Sequence, residues 1–183
     1  MSDNAKYELK VMNELDIEWQ MQNQIHKLLN IAYQGLTKQF ICKTYAYMRP
    51  DKHILIFSND ILVGHCGLIE NEITNLPQGA LKVGGIGLIA SLAKSSICRI
   101  FLQKAIDVHA ENGLPISVGY TGNRSVIKHV LSKISSHVLD IPTIGVSSQT
   151  KPTDKTVIMK SNPSTDVREI LALKEIKLAK EIF

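Results

Sequence analysis

The chain has 183 residues, 44% of them hydrophobic and 21% charged, which suits one globular domain with its own core. Its 21 basic and 17 acidic residues leave a formal charge of +4, and only 5% of residues are aromatic, so neither charge nor stacking groups point to a nucleic-acid surface. The three cysteines, Cys42, Cys66 and Cys98, have no CxxC spacing, which argues against a disulfide framework and against a structural zinc site.

No metal is therefore expected. The first residues, Met1-Ser2-Asp3-Asn4-Ala5-Lys6, are polar. No stretch reaches the roughly 20 apolar residues of a membrane helix. A cytoplasmic protein without a membrane span is the expectation. Tyr7, Leu9 and Val11 alternate with polar neighbours and predict a strand over residues 7–12. Asp16 is placed to cap a helix that carries Ile17, Met21, Ile25, Leu28, Leu29 and Ala32 on one face, with Gly35 as its stop. Residues 36–51 read as irregular, ending in the turn-like Arg49-Pro50-Asp51.

His53-Ile54-Leu55-Ile56-Phe57 is an apolar strand, Ser58-Asn59-Asp60 is turn chemistry, and residues 61–70 return as the second strand of a hairpin. After the turn at Asn75-Leu76-Pro77-Gln78-Gly79, a glycine-rich strand over residues 81–90 runs towards a helix over 96–110, with Ile97, Phe101, Ala105 and Val108 on its inner face. Asn112-Gly113 ends that helix and residues 114–120 form the next strand. A further helix carries Val126, Ile127, Val130, Leu131 and Ile134; strands follow near 137–147 and 155–160. Pro163-Ser164-Thr165 opens a C-terminal helix with Val167, Ile170, Leu171, Leu173, Ile176 and Leu178 as its apolar face, capped by Ser164 or Thr165. The sum is a layered α/β or α+β fold.

The passage from Gly84-Gly85-Ile86-Gly87-Leu88-Ile89-Ala90 into Lys94-Ser95-Ser96-Ile97-Cys98-Arg99 is the most informative stretch. A strand that ends at a helix N-terminus leaves backbone N–H groups converging on one spot, and the helix dipole favours an anion such as a phosphate there. The competing reading is an ordinary Ser N-cap. Gly84, Gly85 and Gly87 could permit a strand bulge, or only a bend. His65, inside an apolar strand, is either a satisfied core residue or a general base, given its pKa near neutrality. Glu70, further along that strand, reads as a solvated strand end. Tyr120 sits at a strand end, where ligands gather in open sheets. Asn123 binds a ligand or caps its helix.

The order of elements over about residues 6–160 resembles the GCN5-related N-acetyltransferase (GNAT) superfamily. The closest likeness is to nodulation-type N-acyltransferases and aminoglycoside 2'-N-acetyltransferases. Ile61-Leu62-Val63-Gly64-His65-Cys66-Gly67-Leu68-Ile69, Gly85-Ile86-Gly87-Leu88, and Gly113-Leu114-Pro115-Ile116-Ser117-Val118-Gly119 with His129-Val130 carry it. The resemblance implies a mixed, mostly antiparallel sheet with flanking helices, strands splayed at the acyl-donor site, and an extra C-terminal helix. Residues 1–160 would form the acyltransferase domain, and 161–183 an amphipathic helix packed on it or on a partner.

The resemblance further implies acetyl or longer acyl transfer from acyl-CoA to a primary amine of a small molecule or peptide. The backbone of Leu88, Ile89 and Ala90 would align the thioester arm. Lys94, Ser95, Ser96, Ile97, Cys98 and Arg99 would hold the pyrophosphate, and Asn123 the pantetheine. His129 or Tyr120 would protonate the departing thiolate, and His65 would help deprotonate the amine. An acyl-carrier protein as donor, and a homodimer, are compatible with it. The family's Arg/Gln-x-x-Gly-x-Gly/Ala loop is altered, with Ala93, Ser96 and Cys98 at its key positions. That departure carries an alternative, a catalytically degenerate ligand-sensing or interaction module on the same fold. A different phosphate ligand such as a nucleotide ranks last, since neither a Walker-type loop nor a full GxGxxG is present.

Overall fold

The computed structural model describes residues 7–33, 49–92, 96–121, 123–134, 136–146 and 154–180. Gly35, Cys42, Ala93, Lys94 and Ser95, singled out above, lie outside them. Seven strands form one sheet in the order β1-β2-β3-β4-β5-β8-β6. They are β1 (Tyr7–Asn13), β2 (Lys52–Ser58), β3 (Ile61–Ile73), β4 (Leu81–Ser91), β5 (Ile116–Thr121), β6 (Ser136–Leu139) and β8 (Lys155–Lys160). Every pairing is antiparallel except β4 with β5. The mixed, mostly antiparallel sheet with flanking helices is as the resemblance implied.

The hairpin β2–β3 turns at Asn59 and Asp60, both at positive φ, the conformation that Asn and Asp tolerate best after glycine. Strand alternation then sorts the core. Ile54 and Ile56 of β2 face Phe101 and Ala105 of α2 (Ser96–Glu111), together with Ile86, Val157 and Met159. Leu55 and Phe57, on the other face, pack with Ile25, Leu28 and Leu29 of α1 (Trp19–Ala32) and with Leu88 and Ala90. One helix therefore covers each face, because alternate residues of a buried strand must each meet an apolar partner. Among the described residues no helix is long and apolar enough to cross a membrane.

Several expectations are corrected. Asp16 lies in a 3-10 turn, Glu14–Asp16, that precedes α1, and it does not cap the helix; Glu18 holds the N-cap position, with no side-chain bond. Ala32 is exposed, because the buried stripe ends at Leu29. The strand expected over 137–147 is two strands in different sheets. β6 stops at Leu139, and after Pro142, which has no N–H for a ladder, β7 (Thr143–Ile144) pairs instead with β9 (Ile176–Lys177).

The expected C-terminal amphipathic helix shrinks to four residues, α4 (Arg168–Leu171), after which the chain extends into β9. Val167 is its N-cap residue, without a side-chain bond, and Thr165 Oγ1 donates to the Pro115 carbonyl rather than capping. The apolar residues are buried as expected, Val167, Ile170 and Ile176 among them. Tertiary partners decide their conformation: Asn75 accepts from Lys177 N and donates to the Glu175 carbonyl, and Asn71 accepts from Lys180 N. A longer helix would have to forgo these partners.

The glycines of β4 serve packing. A Cβ on Gly84 would overlap the buried His109 ring of α2, and one on Gly85 would press on Ile69. His109 Nδ1 is 2.7 Å from Ser117 Oγ, which is 2.9 Å from Ser161 Oγ. Gly84→Ala should therefore destabilise the fold by about 3 kcal/mol, as overpacking does. In a urea-unfolding double-mutant cycle, His109→Ala should remove much of that cost. Burial, with the Lys52 charge adding to it, pushes His109 down to about 4. An unfolded chain binds that proton near pH 6.5, so stability is full above about 6.5 and falls as pH drops towards 4. Urea midpoints at pH 7.5 and 5 should differ less in His109→Gln than in the parent chain.

Candidate functional site

β4 does not run regularly past its middle. His65 pairs with Ala90 and Gly67 with Gly87, so one residue of β3, Cys66, stands opposite two of β4, Leu88 and Ile89. This is a β-bulge. Its first residue, Leu88, has φ 51°, a left-handed conformation that costs a leucine about 1–2 kcal/mol. The glycines beside it do not supply the bend expected of them; a leucine does, because its side chain is buried against α1.

Two side chains hold the bulge. His65 Nδ1 lies 2.8 Å from the Leu88 carbonyl, and the Tyr33 hydroxyl at the end of α1 donates to the Ile89 carbonyl at 2.8 Å. His65 is fully buried. Its Nε2 is 3.0 Å from His53 Nδ1, and His53 Nε2 is 2.6 Å from Glu14 Oε2. Arg49 Nε reaches the other Glu14 oxygen at 3.1 Å. Burial, then the neighbouring His53, pushes His65 down to about 3 against the pull of the Leu88 carbonyl. Burial and the Arg49 charge push His53 down to about 4. Burial drives the Tyr33 hydroxyl and the Cys66 thiol well above their usual range.

Before the bulge, β4 and β5 pair at Gly84–Ser117 and Gly85–Val118, and the ladder ends there. Both strands continue past the last pair, β4 to Ser91 and β5 to Thr121. Tyr120 lies two residues beyond that pair and is half-buried. At the start of α2, Ile97 is buried, Cys98 half-buried and Arg99 exposed, and the first turn contains no acidic residue. Burial raises the Cys98 thiol. Ser96 opens α2. Asn123 is the N-cap of α3 (Arg124–His129), accepting from Ser125 N and Val126 N. His129 is exposed in the last turn of α3. Glu70 is exposed on β3, as a solvated residue.

This architecture is shared. The aminoglycoside 6'-acetyltransferase type Ii has a TM-score of 0.62 at 12% identity, over 85% of this chain and 99% of that one. The GNAT-family N-acetyltransferase YhbS of Escherichia coli, solved in complex with CoA, has 0.60 at 10% identity, over 98% and 93%. The chain has the GNAT fold. A probable N-acyltransferase of Enterococcus faecalis V583 has 0.55 at 9% identity, over 75% of this chain. The chain spans 33% of that protein's length. No family model and no curated protein matches. These three neighbours are acyltransferases, at identities that speak for the fold alone.

The sequence offered His65 as a general base or core residue and Leu88, Ile89 and Ala90 as backbone for the thioester arm; the structure places His65 against this stretch, paired with Ala90 and in contact with the Leu88 carbonyl. Sequence reasoning missed Glu14, His53 and Tyr33. One signal was available: the short turn at Asn59-Asp60 sets the hairpin register, and that register puts His53 and His65 on neighbouring strands. Leu55 pairs with His65 and His53 with Gly67. Glu14 and Tyr33 sit on separate elements and had no such signal. Of the two readings of Asn123, the cap is the one observed. Asn123→Ala should cost about 1 kcal/mol of stability in chemical unfolding, whereas Asn123→Ser or Asn123→Asp should keep most of it.

Proposed function

We propose that this GNAT-fold chain moves an acetyl or longer acyl group from an acyl-CoA thioester to a primary amine. The observation that carries the reading is the bulge at Leu88–Ile89, placed where β4 and β5 part after two paired residues. A kinked strand beside an open strand edge offers backbone polar groups to a narrow extended ligand. The backbone of Leu88, Ile89 and Ala90 would hold the pantetheine arm. The start of α2, with Ser96, Ile97, Cys98 and Arg99, and with Lys94 and Ser95 just before it, would hold the pyrophosphate: no carboxylate stands in its first turn, and its amide ends favour an anion.

The neutral amine nitrogen attacks the thioester carbonyl; the C–N bond forms, the C–S bond breaks, the thiolate takes a proton from Tyr120 or His129, and the proton that the acylated nitrogen sheds passes to water and restores that residue. Catalysis is then mainly alignment of the two reactants. The CoA complex of YhbS and the shared fold of an N-acyl amino acid synthase from uncultured soil microbes support the reading. The acceptor is a small-molecule or peptide amine, and a homodimer is compatible with the site. The altered loop at Ala93, Ser96 and Cys98 favours a second reading, a ligand-sensing module that no longer transfers.

Calorimetric titration with acetyl-CoA tests both. Saturable binding is expected, and Lys94→Ala with Arg99→Ala should weaken it about tenfold, the scale of two lost charge-assisted phosphate contacts. Saturable binding without acyl transfer to any amine would favour the sensing module. Lack of binding, together with binding of an acyl-carrier protein, would move the donor from CoA to the carrier.

A further inference from the structure

The hydrogen bonds around His65 leave little freedom in where its protons sit. A carbonyl only accepts, so the 2.8 Å contact to Leu88 requires a proton on His65 Nδ1. His65 is buried and held far below neutrality, so its Nε2 is bare and accepts. The 3.0 Å contact to His53 Nδ1 then requires the proton on His53. The remaining contact, 2.6 Å between His53 Nε2 and Glu14 Oε2, must hold one more proton between them. The two inner bonds point the same way, from His53 through His65 towards the bulge, and Glu14 holds the outer end. Both His65 nitrogens are thus used, and neither offers a lone pair to an incoming amine.

We propose that Glu14, His53 and His65 are positioning residues: a directed chain of hydrogen bonds across β2 and β3 that clamps the Leu88 carbonyl and so sets the bulge of the donor site. Its existence does not rest on the acyl-transfer reading, but its consequence for acyl-CoA does. The chain lies on the α1 face, since His65 pairs with Leu55 and Ala90, both packed against α1. Its outer end is anchored by Arg49 on Glu14. Loss of the clamp would orphan a buried carbonyl at a residue already in a costly backbone conformation.

The test reads the clamp directly, by NMR on the full chain labelled with 15N and 13C. In the parent protein the imidazole 15N shifts should show His65 protonated at Nδ1 and bare at Nε2. His65→Leu should move the Leu88 carbonyl 13C resonance upfield. His65→Asn, whose amide can donate from nearly the Nδ1 position, should restore it. Glu14→Gln offers His53 Nε2 an amide partner and should leave the resonance in place, whereas Glu14→Leu and His53→Leu should shift it. Acetyl-CoA affinity should follow the resonance, falling about tenfold in the Leu variants and under about threefold in His65→Asn and Glu14→Gln. A His65 protonated at Nε2 in the parent chain overturns the proposal even if His65→Leu fails to fold. So does a Leu88 resonance indifferent to Glu14→Leu and His53→Leu. A parent protein that binds no acetyl-CoA but shows the expected tautomer and shifts refutes the acyl-CoA reading and leaves the clamp standing.

Discussion

A leucine in left-handed conformation in mid-strand is the constraint around which this molecule is arranged. Leu88 at φ 51° costs about 1–2 kcal/mol. The surroundings offset it. Its side chain is buried in the cluster under α1, its carbonyl accepts from His65, and the next carbonyl accepts from Tyr33. Each such bond is worth about 1 kcal/mol net, and more as a penalty when a buried carbonyl is left without it. The bulge is therefore specified from three elements at once: β3, α1 and its own side chain. A strained residue that its neighbours over-determine is the usual mark of a functional stretch.

Close approach elsewhere in β4 has a different origin. Gly84 admits the His109 ring and Gly85 admits Ile69, so these glycines let α2 and β3 press against the strand. The glycine-rich run carries two functions by division of labour: the glycines pack the strand, and the first non-glycine after them makes the bend. The helix that leans on Gly84 is also the one whose N-terminus we propose for the pyrophosphate, so packing under β4 and that proposed site are tied together through α2.

The sheet's elements were largely legible in the chain. Alternation marked β1, an apolar run marked β2, the turn at Asn59-Asp60 marked its hairpin with β3, and Asn112-Gly113 marked the end of α2, where Gly113 takes φ 73°. The inner face of α2 was read residue by residue, and Ile97, Phe101, Ala105 and Val108 are all buried. Apolar spacing is a local property, and it survives folding because each face must find an apolar partner. The C-terminal segment shows where this stops. Val167, Ile170 and Ile176 are buried as their hydrophobicity requires, but Asn75, Asn71 and β7 supply extended partners that spacing cannot reveal.

By itself, the sequence determined the class of the fold and most of the residues that go inside, and it raised the stretch from Gly84 to Arg99 as a candidate ligand site. Each of these follows from composition, period or a backbone preference within a few residues. Only the tertiary structure decided that Leu88 makes the bend, that Glu14, His53 and His65 join into one chain, and that Tyr33 reaches the bulge. Those contacts join residues 12 to 56 positions apart. Their geometry depends on strand register and on how α1 seats on the sheet, quantities that many sequences of the same pattern would satisfy differently.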